Sequence, residues 1–222
     1  MAVSRALLLA LLLAGWLHTA LFAQDPGSDA VSSDDIRVAD GLQLPEYGHA
    51  WILDTWHGVK ELVEMHPTSS LDRGVSLKLH KVVELQGETA AVRSHDTAPQ
   101  IFLRRTGAGG DMAQAEFAAV HLTVSNNRRQ ASKDSPGALA AIAKGRPYTS
   151  ADVIALTMEQ VGGTNWYRFS LPRPLDPGEY ALVALPGTPA AELDESYDFA
   201  IDPAAPENRQ PIRSEENHPS AP

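Results

Sequence analysis

The side chains best suited to chemistry are concentrated between residues 49 and 57, where the sequence reads HAWILDTWH. Imidazole is the commonest protein ligand for transition metals and the natural acid or base at neutral pH. Tryptophan rings offer large flat surfaces for ligand contact. We therefore take five residues of this segment as candidate binding residues, namely His49, Trp51, Asp54, Trp56 and His57. The two histidines of this set are the candidate metal ligands.

The spacing within this segment limits what it can do alone. Side chains alternate between the two faces of an extended strand, so His49 and His57 would share one face while Asp54 lies on the other. A metal would need further ligands, such as His66 or His80, and the sequence contains no H-E-x-x-H or paired-histidine zinc spacing. The alternative interpretation places the histidines at the surface and the tryptophans in the core. We predict no cofactor; a bound divalent metal is the alternative, which no motif supports.

Two other motifs contain the letters of a catalytic site without its spacing. Ser94, His95 and Asp96 are sequence neighbours, and neighbours on an extended chain point to opposite sides, so they cannot form a serine-histidine-aspartate relay. We interpret them as a strand end and a turn. The glycine-rich stretch at 106–111 lacks the Lys-Ser/Thr of a phosphate-binding loop, and no G-x-S-x-G elbow occurs. No catalytic residue is predicted.

The elements that must position these side chains are predicted to be short strands. Apolar and polar residues alternate, most clearly at 75–85 and 118–124, which is typical of half-buried strands. Turn dipeptides separate ten such segments, at 50–54, 58–65, 75–85, 89–94, 100–104, 118–124, 153–159, 165–171, 179–185 and 196–202. This pattern predicts an all-β protein, an antiparallel sandwich. The single predicted helix covers 136–144, with proline at its start and Gly145 past its end.

One motif links this pattern to a known fold. The sequence LDPGEYALV at 175–183 places Asp176, Gly178 and Tyr180 as they occur in a tyrosine corner, and it resembles that corner in immunoglobulin-like and fibronectin-type sandwiches. The resemblance covers about 153–202 and concerns the fold, not an activity. It implies that the Tyr180 hydroxyl bonds back to the preceding loop. The chain contains no cysteine, so the disulfide of antibody domains is absent.

The chain ends predict export. Residues 1–23 combine one arginine, a leucine-rich run and a small residue at position 23, as in a cleaved secretory signal peptide; an uncleaved membrane anchor over 6–23 is the alternative. We predict a flexible linker at 24–40, a sandwich domain at 41–202 with a possible subdivision at 105–115, and a disordered proline-rich tail at 203–222. A cysteine-free exported chain favours a bacterial envelope, with the product periplasmic or secreted.

Charge and composition then rank the functions. The net charge is −10, and removal of the leader takes away one arginine and no acid, which makes it −11. Such a chain is predicted to bind neither nucleic acid nor, after leader cleavage, a membrane. We predict a non-enzymatic module that binds a protein or a glycan. The alternatives are a secreted metal-dependent or carboxylate-based hydrolase using His49, Asp54 and His57, and an accessory subunit of an envelope assembly.

Overall fold

The computed structural model of the 222-residue chain describes residues 36–69, 84–104, 116–132, 135–146, 151–185 and 195–214. The predicted leader, the possible subdivision at 105–115 and most of the alternating segment at 75–85 lie outside the described residues. The described part contains sixteen strands and one helix. In chain order these are β1 Arg37–Ala39, β2 Leu42–Gln43, β3 Ala50–Trp56, β4 Val59–Met65, β5 Pro67–Ser69, β6 Glu84–Gln86, β7 Arg93–Ser94, β8 Gln100–Arg104, β9 Phe117–Ser125, β10 Arg128–Ala131, α1 Ser135–Ile142, β11 Val153–Ala155, β12 Thr157–Gln160, β13 Trp166–Ser170, β14 Gly178–Ala184, β15 Glu195–Ile201 and β16 Ile212–Arg213.

The strands form two large sheets and one small one. The first large sheet has eight strands in the order β5-β15-β14-β9-β10-β6, with β11 beside β9 and β7 beside β15. The second has six strands in the order β12-β13-β8-β3-β4-β16, and β1 pairs with β2. The pairings among described strands are antiparallel except that of β7 with β15. The prediction of an all-β, antiparallel, sandwich-like fold is confirmed.

The main core lies between the two large sheets. It takes alternate residues from both, for example Ile52 and Phe169 from the six-stranded sheet and Leu182 and Phe199 from the eight-stranded one. This is the period of two that strands impose on side chains. The residues of β3 that face inward are therefore Ala50, Ile52 and, next in the same alternation, Asp54.

Both sheets are also covered on their outer faces. Ala138 and Leu139 of α1 pack with residues of β9 and β14 such as Val120 and Val183. On the six-stranded sheet, Leu42 of β2 packs with Trp51, Phe102 and Trp166. Strand β3 is therefore buried on both faces from Ala50 to Asp54, which a simple alternation of exposed and buried residues does not describe.

The helix follows the predicted boundaries closely. It begins one residue before the predicted start and ends two before the predicted end. Gly145 lies just beyond it with φ of 63°, a left-handed conformation that glycine adopts without strain. The amide of Arg146 donates to the carbonyl of Ala141, which closes the helix end.

The tyrosine corner that the sequence resembles is present. The Tyr180 hydroxyl donates to the carbonyl oxygen of Asp176 at 2.9 Å, and the Tyr180 side chain is buried against Phe199. Burial raises the pKa of the Tyr180 hydroxyl, and the nearby Asp176 carboxylate raises it further. The loop before β14 is thus tied to the core at the point where the chain enters the eight-stranded sheet.

Ordered structure extends past the predicted domain limits of 41–202 on the N-terminal side. Strand β1 begins at Arg37, inside the predicted linker, and Ile36 is buried against the six-stranded sheet. The apolar residues of this short segment are few, but each one covers the outer face of the sheet. Composition averages over the linker and so misses them.

The same correction applies at the C-terminal end. Residues 203–214 are ordered and include β16, which pairs with β4, and Ala205 and Asn208 are buried. The prediction of a disordered tail from residue 203 is therefore wrong for this segment. Polar side chains and backbone pairing hold it in place, and low hydrophobicity does not reveal such contacts. Residues 215–222 lie outside the described part.

An arginine is buried on the outer face of the eight-stranded sheet. Arg129 of β10 is 3% exposed and donates to Asp198 at 2.5 Å and to Glu179 at 3.3 Å. Its remaining nitrogens donate to the backbone carbonyls of Gln86 and Gly87. Both carboxylates are also nearly buried, so solvent screens their attraction to Arg129 only weakly. These ion pairs link β10, β14 and β15.

Candidate functional site

A tight hairpin brings two acidic side chains together inside the sandwich. The turn between β3 and β4 consists of His57 and Gly58, with φ of 48° and 82°, as two-residue hairpin turns require. This turn fixes the register so that Asp54 lies directly opposite Glu61. Both residues are fully buried, on the face of the hairpin that packs toward the other sheet.

Asp54 is held by donors from the chain after β7. Its Oδ1 atom accepts from the backbone amides of His95 at 2.8 Å and Asp96 at 3.1 Å, and the Ser94 hydroxyl is 3.3 Å away. Its Oδ2 atom is 2.6 Å from His95 Nδ1 and 3.3 Å from Asn208 Nδ2. The carboxylate therefore faces donors on both oxygens, which is what allows an aspartate to be buried.

His95 is enclosed by acceptors. Its Nδ1 atom faces Asp54, and its Nε2 atom is 3.2 Å from the carbonyl oxygen of Ala205. The His95 side chain is 5% exposed. The Ser94-His95-Asp96 sequence is a strand end followed by a bend, as predicted. The Ser94 hydroxyl bonds to the Asp96 carbonyl at 2.9 Å and to Asp54 rather than to the imidazole.

Glu61 is bound on one oxygen only. Its Oε2 atom accepts from Arg213 Nε at 3.0 Å and Nη2 at 2.8 Å. Its Oε1 atom is buried and has no hydrogen-bond partner among the described residues. Burial raises the pKa of the Glu61 carboxyl; the hydrogen bond from Arg213 opposes this, and the charge of Asp54 adds to it.

The C-terminal segment closes the site. Asn208 accepts from the amide of Arg93 at 2.9 Å and donates to the carbonyl of Arg93 at 2.7 Å, besides its contact with Asp54. Arg213 bridges Glu61 and the more exposed Glu207. These contacts join the β3-β4 hairpin, β7 and the C-terminal segment. We refer to the five residues Asp54, Glu61, His95, Asn208 and Arg213 as the end cluster.

The structure divides the predicted binding residues between two ends of β3. Asp54 belongs to the end cluster, and Trp56 follows it on the same face, with its ring 4.3 Å from that of His95 and 4.1 Å from that of His57. Trp51 is instead buried under β1 and β2. His49 is exposed at the opposite end of the strand.

The two candidate metal ligands are therefore not brought together. Eight residues of extended chain separate His49 from His57, which is roughly 26 Å at the usual rise of a strand. One ion cannot contact both imidazoles at that separation. Of the two histidines, only His57 lies near the end cluster, where its ring contacts that of Trp56.

The sequence interpretation missed four of the five members of the end cluster as site residues. Glu61 could have been found, because a two-residue turn at 57 and 58 places residue 61 opposite residue 54. His95 was considered only as part of a catalytic relay. No local signal points to Asn208 or Arg213, which arrive from more than a hundred residues away.

The end cluster can hold charge but is closed to substrate. Asp54, Glu61 and His95 each offer one ligand atom, and these atoms all lie within 4.8 Å of one another. Both carboxylates are fully buried. This arrangement suits a structural hydrogen-bond network or an enclosed ion rather than acid-base catalysis, which needs contact with a substrate.

Comparison with known protein families, with curated proteins and with solved structures finds no match to this chain.

Proposed function

We propose that the chain is a non-enzymatic binding module that acts after export, in the bacterial envelope or outside the cell. Three features support this proposal: the signal-peptide pattern at residues 1–23, the all-β fold with its tyrosine corner at Tyr180, and the enclosure of the end cluster. Sandwiches of this kind commonly bind through the loops at one end of the sheets.

The observation that carries the proposal is the ring surface at the β3-β4 turn. The Trp56 side chain is half-buried, and the imidazoles of His57 and His95 flank its ring. His57 is exposed and has a positive φ. Residues other than glycine rarely adopt this left-handed conformation unless the surroundings favour it. The two-residue turn thus lies beside a partly exposed aromatic ring at one end of the sandwich.

This surface fits two of the predicted partner classes. A partly exposed indole can stack on the apolar face of a sugar ring or contact an apolar side chain of a protein. The acidic net charge of −10 disfavours nucleic acid. Within the described residues, no helix has the length and apolar character needed to cross a bilayer. The proposed partner is accordingly a glycan or a protein.

The hydrolase alternative receives no support from the arrangement of its proposed residues. His49 and His57 lie at opposite ends of β3, and Asp54 is fully buried with donors on both of its oxygens. A hydrolase would need these groups on one accessible surface.

Binding can be tested with immobilised envelope polysaccharides and envelope proteins as two separate arms. We expect Trp56→Ala to weaken binding at least tenfold in one arm, because large aromatic side chains dominate contact surfaces of this kind. Tyr47→Ala is the matched control, since Tyr47 is the most exposed large aromatic residue described, at 61%, and lies beyond the other end of β3. Equal binding by the wild type and Trp56→Ala would refute the ring surface. Turnover of a hydrolysable glycan would refute the non-enzymatic function.

A further inference from the structure

The three potential ligands of the end cluster come from three separate parts of the chain. Asp54 is on β3, Glu61 on β4 and His95 in the bend after β7. Carboxylate oxygens together with an imidazole nitrogen form a donor set that suits divalent transition metals such as zinc. The ligand atoms are at most 4.8 Å apart, and ligands of a tetrahedral zinc ion are roughly 3.4 Å apart, given bonds of about 2.1 Å.

Each of the three groups has its other polar atom fixed by a neighbour. The Oδ1 atom of Asp54 is bound by two backbone amides, Arg213 holds the Oε2 atom of Glu61, and the Nε2 atom of His95 faces the carbonyl of Ala205. Metal-binding histidines and carboxylates usually have such outer partners, which orient the atom that points to the metal. The remaining ligand atoms are Glu61 Oε1, His95 Nδ1 and Asp54 Oδ2, the last of which also accepts from Asn208 Nδ2 at 3.3 Å.

Glu61 supplies a second, independent observation. Its Oε1 atom is completely buried and has no hydrogen-bond partner among the described residues. Leaving a buried oxygen without a partner costs folding free energy. A cation bound at this atom would remove that cost, while Arg213 continues to hold the other oxygen.

The charges of the cluster also favour a divalent cation. Asp54 and Glu61 carry two negative charges in a buried environment, and Arg213 is shared with Glu207. With His95 neutral, a divalent ion would balance the two buried carboxylates. The ion would replace the proton between Asp54 Oδ2 and His95 Nδ1, which are 2.6 Å apart, so these two atoms would need to separate by less than about 1 Å.

We propose that Asp54, Glu61 and His95 bind one divalent transition-metal ion, and that this ion clamps the β3-β4 hairpin to β7 and the C-terminal segment. The site is structural rather than catalytic, because both carboxylates are fully buried and His95 is 5% exposed. Its outer partners Asn208 and Arg213 lie in the segment 203–214, so the ion stabilises the position of that segment.

The direct test is metal binding by protein purified after expression of the full chain and then stripped with a chelator. We expect one Zn²⁺ per chain by calorimetry, and a higher thermal midpoint with Zn²⁺ than with chelator, because ligands that bind only the folded state stabilise it. Glu61→Gln and His95→Gln should each weaken Zn²⁺ binding by roughly 100-fold or more. Glu159→Gln and His49→Gln are the matched controls on exposed residues and should bind as the wild type does.

Two results would overturn the proposal. The first is a wild-type protein that is folded by circular dichroism and binds none of Zn²⁺, Mn²⁺ and Co²⁺ at one ion per chain. The second is binding that persists in Glu61→Gln and His95→Gln but is lost in His49→Gln, which would place the ion on surface histidines. If the two cluster variants fail to fold, the wild-type titration decides alone.

Discussion

Asp54 and Glu61 lie directly opposite each other on neighbouring strands, and both carboxyl groups are fully buried. Like charges in that position repel each other and destabilise a sheet. The fold accommodates the pair by supplying donors from segments that are distant in sequence, chiefly the amides after Ser94 and the guanidinium of Arg213. The pair is therefore a junction at which the hairpin, β7 and the C-terminal segment depend on one another.

The tyrosine corner makes a measurable contribution to stability. Tyr180→Phe removes the hydroxyl that donates to Asp176 and leaves the ring in the core. We expect a loss of about 0.5 to 1.5 kcal/mol in the free energy of unfolding, the usual net contribution of one hydrogen bond. Urea denaturation measures it. Tyr47→Phe, on an exposed tyrosine, should change stability by less than about 0.5 kcal/mol, and equal effects of the two variants would contradict a corner role.

The same residue should make stability fall at alkaline pH. Burial, with a further contribution from Asp176, raises the pKa of Tyr180 above its unfolded value of about 10. The folded state therefore retains the proton longer than the unfolded state, so stability is intact below about pH 10 and decreases as pH rises through the folded pKa. Urea midpoints between about pH 8 and 11 should fall more steeply for the wild type than for Tyr180→Phe. Parallel curves would show that other groups cause the decline.

The buried Arg129 should contribute far more to the free energy of unfolding than an exposed arginine in an ion pair. Arg129→Gln removes the charged partner of the nearly buried Asp198, while Glu179 retains its ion pair with Arg93 at 3.4 Å. Breaking a buried pair from one side costs about 3 to 5 kcal/mol. Arg168→Gln is the matched control, because Arg168 pairs with the exposed Glu159 and such pairs contribute about 0 to 1 kcal/mol. Chemical denaturation of both variants gives the comparison. A loss below about 1 kcal/mol for Arg129→Gln would mean that water reaches the carboxylates.

The C-terminal segment should be required for a stable sandwich. Asn208→Ala leaves the amide and the carbonyl of Arg93 without their partner, which we expect to cost about 2 to 3 kcal/mol because both groups are near the interior. Gln160→Ala is the control, since the hydrogen bond of that side chain within the described residues is exposed and local. Urea midpoints that are the same for the two variants would show that the segment is dispensable.

The fold class was predictable because strands and turns are local. The segment at 100–104 was predicted with its observed limits as β8, and the turn residues before Tyr180 indicated the corner contact that the structure contains. Short strands such as β2 and β16 were not predictable. Each has two residues, too few for a periodic pattern, and each exists because a neighbouring strand offers a pairing partner.

The end cluster was only partly predictable. A histidine, an aspartate and a tryptophan at 54–57 drew attention to the correct hairpin, and the turn chemistry at His57 and Gly58 would have placed Glu61 opposite Asp54. The metal candidates His49 and His57 were chosen because imidazole is the commonest protein ligand for transition metals. Their separation of eight residues along one strand, roughly 26 Å at the usual rise, already excludes a shared ion.

By itself, the amino-acid sequence determined the all-β class and the corner at Tyr180, since each depends on residues a few positions apart. Only the tertiary structure decided that Asp54 would meet His95, Asn208 and Arg213, and that residues 203–214 would belong to the folded part. The physical reason is range: hydrophobic alternation and turn preference act between near neighbours, whereas burial of a charge is settled by whichever donors the packed chain brings to it.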